Sequence, residues 1–157
     1  MDKKINEITH RIIGCAMRVH STLGNGFQEV IYQRALAIEM RLEGLAFQRE
    51  MEIQIYYREI LIGTRRVDFF VEECVMLELK ACEILEDKHK AQAINYLEAY
   101  NIADGLLNNF GGMSLEFKRV YNKRLFKPTG KPLNKPSPKI FDLHHQILSV
   151  VPICIIL

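Results

Sequence analysis

At 157 residues, with 48% hydrophobic and 25% charged side chains, the chain has the size and composition of one soluble globular domain with a real core. Its four cysteines (Cys15, Cys74, Cys82 and Cys154) form no Cys-x-x-Cys pair, which argues against zinc or a disulfide framework and for reduced thiols in a cytoplasmic protein. The formal charge of +2 is unevenly spread: residues 118–157 carry eight basic groups and one acid, +7, leaving thirteen basic and eighteen acidic groups, −5, in residues 1–117. An acidic body with a basic tail suits a nucleic-acid partner, and it equally suits a solubilising extension.

Met1-Asp2-Lys3-Lys4 leads into an amphipathic stretch and not an apolar block, so no cleavable signal is expected. Ile5, Ile8, Ile12, Ala16, Val19 and Leu23 recur at helical spacing and predict a first helix over about 4–22. Gly24-Asn25-Gly26 makes a corner into a second helix over about 27–43, closed by Gly44. Residues 46–57 alternate as a strand, with Phe47, Met51, Ile53, Ile55 and Tyr57 on one side. A turn near Arg58-Glu59 leads into strand residues 60–71, and a further strand covers 75–80. A third helix is expected over about 87–101, capped by Asp87, followed by strands over 104–110 and 115–121. Helix, helix, three strands, helix and two strands predict an α/β fold: a mixed central β-sheet flanked by helices, occupying residues 1–121.

Residues 122–157 read as a separate basic, proline-containing tail with an apolar C-terminal segment. Its last run, 147–157, is interrupted by Pro152 and is far short of the ~20 residues that span a bilayer, so no membrane partner is expected.

Three ionisable groups interrupt the oily strands: Asp68, Glu78 and Lys80. Alternation puts Glu78 and Lys80 on one face. If Glu72-Glu73-Cys74 form a three-residue hairpin loop, Asp68 lies opposite Glu78, with Cβ atoms about 5 Å apart. Two carboxylates that close repel unless a cation lies between them, and oxygen ligands suit Mg²⁺ or Mn²⁺. A two-residue turn would instead put the two acids on opposite faces, and Glu-Leu-Lys alone is also an ordinary amphipathic strand. Glu29, in the first turn of the second helix, shares a face with Tyr32; on its own it simply complements the helix dipole.

Together these pieces resemble the GxxExxY proteins, a branch of the PD-(D/E)xK nuclease superfamily. Gly26-x-x-Glu29-x-x-Tyr32 matches the motif that names them, and Asp68 followed by Glu78-Leu79-Lys80 matches the superfamily's metal-binding signature. His89-x-x-Gln92-x-x-x-Tyr96 and Ala16-Met17-Arg18-Val19-His20 fit in order, and the likeness covers about residues 4–121. The resemblance implies a restriction-endonuclease-like core and Mg²⁺- or Mn²⁺-dependent hydrolysis of DNA or RNA phosphodiesters. It makes Asp68 and Glu78 metal ligands, with the Leu79 carbonyl as a third. Lys80 would position or help deprotonate the attacking water, Glu29 would complete the acidic cluster, and Gln92 and Tyr96 would hold a phosphate or the lysine. His20 reads as structural ahead of ligating. A non-catalytic nucleic-acid- or protein-binding module retaining the fold is the alternative, and a structural subunit of a larger complex a third reading. DNA against RNA stays open, as does oligomeric state, a homo-oligomer included.

Overall fold

The computed structural model describes residues 3–125. The basic tail beyond Leu125, with its prolines and its apolar end, lies outside the described residues. Among the described residues no helix is long and apolar enough to cross a membrane.

The elements run α1 (Lys3–Leu23), α2 (Glu29–Leu42), β1 (Phe47–Tyr57), β2 (Ile60–Val71), β3 (Val75–Lys80), α3 (Asp87–Tyr100), β4 (Asp104–Asn109) and β5 (Glu116–Tyr121). The five strands form one mixed sheet in chain order, antiparallel except where β3 and β4 pair parallel across the α3 crossover. This is the expected α/β architecture. Its centre is β3, buried throughout except at Lys80, as a strand covered on both faces must be. Glu78 is the one acid in that strand.

Two apolar layers sandwich the sheet. On one face α1 and α2 bury Ile8, Ile12, Leu36 and Met40 against Phe69, Val71, Leu77 and Leu79. Arg18 fastens the two helices together through Glu39 and Glu43, at 2.7 and 2.8 Å. On the other face Ala93, Tyr96 and Leu97 of α3 cover Ile53, Val67, Phe70 and Met76. Gly105 of β4 lets α3 lie this close: a Cβ there would come within 3.2 Å of both Leu97 methyl carbons and 2.9 Å of Val120 Cγ2.

Two local expectations are corrected. Phe47 packs on the α1/α2 face, whereas Met51, Ile53 and Ile55 face α3. The strand changes face at Glu50, whose φ of 51° is left-handed and breaks the alternation. The cap of α3 is Glu86, not Asp87: its backbone N–H donates to His89 Nδ1 at 3.1 Å. Asn122, placed at the start of the tail in the sequence, is buried, and its side-chain amide donates to the Leu97 carbonyl at 3.3 Å.

Candidate active site

The β2–β3 connection is the three-residue loop 72–74, with Glu72 and Glu73 both left-handed (φ 50° and 56°). The pairs Val71–Val75, Phe70–Met76 and Phe69–Leu77 set the anticipated register. The next pair in that register would be Asp68 and Glu78, and the ladder stops before it. Asp68 turns its carboxylate to the neighbouring strand instead, where Oδ2 accepts from the Leu79 N–H at 2.7 Å. The two strands part here, and polar side chains fill the gap.

Asp68 Oδ1 accepts from Gln33 Nε2 at 3.1 Å, and Gln33 Oε1 in turn accepts from Arg49 Nη2 at 2.8 Å. This relay fixes which way the buried Gln33 amide faces and holds Asp68 from two sides. Gln33 is absent from the residues that the sequence singles out. The signal available was its spacing, four residues after Glu29 and so on the same face of α2.

Glu78 is 7% exposed and lines a water-sized void with Met76, Ala93 and Tyr96 beneath α3. Lys80 Nζ donates to Glu78 Oε1 at 3.0 Å, while Oε2 is buried with no hydrogen-bond partner among the described residues. Burial first, and the Asp68 charge second, push the Glu78 carboxyl up to about 7 against the pull of Lys80. Burial likewise raises Asp68, against the Leu79 N–H, Lys80 and Gln33, and it raises Glu29, against Lys80 and with a push from Asp68. Burial alone would lower Lys80, but Glu78, Glu29 and Asp68 outweigh it and its pKa is raised. Asp68, Glu78, Lys80 and Glu29 therefore feel one another's charge. Fully ionised, three carboxylates and one ammonium carry two negative charges in excess.

Glu29 owes its place to the glycine corner. Gly24 and Gly26 have φ of 69° and 101°, which favours glycine. Tyr32 pins the corner: its hydroxyl donates to the Gly24 carbonyl at 2.9 Å and accepts from the Phe27 N–H at 3.2 Å. Its ring stacks on Phe110 at 4.7 Å. Tyr32 is thus a positioning residue for the helix start that carries Glu29.

On α3, Gln92 Nε2 donates to the Tyr96 hydroxyl at 2.6 Å. Neither side chain is bonded to Lys80. His89 is used at the helix cap. His20 Nε2 lies 3.0 Å from the Gly112 carbonyl and donates to it, with its ring against Phe110.

A family model described as the PD-(D/E)XK nuclease superfamily matches residues 6–120. The chain belongs to the PD-(D/E)XK nuclease superfamily. Its matched span runs from the first turn of α1 to the last residues of β5. No curated protein matches the chain. Among solved structures, the crystal structure of SSO0001 is similar at a TM-score of 0.49 and 16% identity, over 59% of this chain and 50% of that one. The chain thus spans about half the length of that protein.

The donor set of this superfamily member fits a hard divalent cation. It offers carboxylate oxygens in excess negative charge and one buried oxygen, Glu78 Oε2, with no hydrogen-bond partner among the described residues. Among the described residues no three histidine, cysteine, aspartate or glutamate side chains gather closely enough to hold a metal ion alone.

Proposed function

We propose that this chain is a GxxExxY-type nuclease that hydrolyses DNA or RNA phosphodiester bonds with Mg²⁺ or Mn²⁺. The observation that carries the reading is the partnerless, buried Oε2 of Glu78 within an acidic group of excess negative charge. Leaving a buried carboxylate oxygen unpaired costs stability that a bound cation would recover. Asp68 and Glu78 would hold it, with the Leu79 carbonyl as third ligand. Such an ion supplies Lewis acidity at a bound water and at the phosphate.

The chain's own groups divide the remaining work. Gln33 and the Leu79 N–H fix the Asp68 carboxylate, so that its geometry does not depend on the substrate. Lys80 enters as an ammonium, since its pKa is raised. As a charged donor it would position the attacking water and stabilise the developing phosphorane charge. Glu29 has a raised pKa and reaches the same group from α2, which suits it to take a proton through an intervening water. Gln92 and Tyr96, joined to each other, would bind a substrate phosphate. Asp68, Glu78 and Lys80 are all present, which counts against a non-catalytic module with the same fold.

A cleavage screen over single- and double-stranded DNA and RNA tests the reading. Mn²⁺-dependent cleavage that EDTA and Asp68→Ala both abolish is expected. Cleavage that survives either treatment refutes it.

A further inference from the structure

β1 and β2 are 11 and 12 residues long, against 6 in β3, so their outer halves extend past the rest of the sheet as a two-stranded arm. Between that arm and α3 lies a cleft of about 480 Å³. Ile55, Ile62 and Arg65 form the strand wall, and Gln92, Asn95 and Tyr96 the helix wall. Glu98 and Arg124 also line it, bonded to each other at 2.9 Å. That pair cancels and leaves the Arg65 guanidinium as the uncompensated charge of the lining.

Apolar walls, two side-chain amides and a guanidinium are the groups that a nucleotide requires. The isoleucines can pack against a base, the Asn95 amide can read its edge, and the guanidinium, with Gln92 and Tyr96, can take a phosphate. The volume is that of a small-molecule site. It has room for a base and its sugar, and a base inside a duplex could enter only after leaving its stack. Tyr96 is shared between this cleft and the small void beneath α3 that Glu78 also lines.

We infer that this cleft binds one unpaired nucleotide, which makes single-stranded nucleic acid the substrate class. The chemistry that follows rests on the nuclease reading above, but the binding needs no metal. Arg66 provides the control: it neighbours Arg65 on β2, both are exposed, and strand alternation points it away from the α3 face.

The test is fluorescence anisotropy of the full chain in EDTA, with labelled oligothymidine, oligouridine and a duplex of the same length. Single strands of at least one sugar should bind more tightly than the duplex. Arg65→Glu should weaken single-strand binding by about tenfold, and Arg66→Glu by about twofold or less, with both variants melting like the parent. A duplex bound as tightly as either single strand, or equal losses from the two charge reversals, would overturn the inference. The two readings fail separately. Cleft-dependent binding without Mn²⁺-dependent cleavage would overturn the nuclease assignment and keep the cleft, whereas cleavage with Arg65→Glu binding undiminished would do the reverse.

Discussion

Among the described residues Glu78 is the carboxyl whose pKa moves furthest. Its carboxyl is raised to about 7 from an ordinary value of 4.5, so between those limits the folded protein holds a proton that the unfolded chain has lost. Stability is therefore fully present below pH 4.5 and falls as pH rises through about 7, by a total on the order of 3 kcal/mol. Glu78→Gln, which removes the charge and keeps an acceptor for Lys80, should raise metal-free stability at pH 8.5 by up to about 3 kcal/mol. The gain should vanish near pH 4, and urea melts in EDTA at the two pH values check it. Gln33 is the second test at this scale. Gln33→Leu strips Asp68 of one donor and Arg49 of its acceptor, and should cost roughly 1–2 kcal/mol of stability and about tenfold in Mn²⁺ affinity. Unchanged affinity would reduce Gln33 to a packing residue. Asp68, Glu78 and Lys80 were legible because a charge inside an oily strand is conspicuous. Gln33 was not, because a glutamine on an amphipathic helix looks like a solvated one until the partner strand is in place.

At the level of elements, the sequence left two hairpin registers open, because the register follows the loop length: the three residues at 72–74 put Leu77 opposite Phe69, where a two-residue turn would have put the acids on opposite faces. The parting of the strands just beyond that pair was hidden. It depends on Asp68 bonding the Leu79 N–H, a contact between side chain and backbone that no spacing announces. The face change at Glu50 was hidden for a related reason, since a left-handed glutamate carries no glycine or asparagine to mark it. The seat of α3 is a matter of volume. Gly105→Ala sets a methyl 2.9 Å from Val120 Cγ2 and should destabilise the fold by about 1–3 kcal/mol, measured in urea at pH 7. Because α3 carries Gln92 and Tyr96, the same variant should also weaken single-strand binding in the adjoining cleft.

Across the whole molecule, one arrangement recurs. Two helical layers cover the sheet, and between them, where β2 and β3 separate, the charges of Asp68, Glu78, Glu29 and Lys80 act on one another. The apolar periodicity of the helices and the continuous apolar run of β3 made this architecture readable from the residues alone. The charge asymmetry between body and tail was equally plain, but the cleft beside α3 was not. It exists only because the long β1–β2 arm overhangs a helix some thirty residues further along the chain. On the nuclease reading, Asp68 and Glu78 form a cation site. Isothermal titration of Mn²⁺ into the metal-free full-length protein, its Asp68→Ala variant and its Glu78→Ala variant tests it directly. Saturable binding by the parent, lost in both variants while each remains folded, is the predicted result. No binding by the parent, or equal binding by all three proteins, would contradict the account.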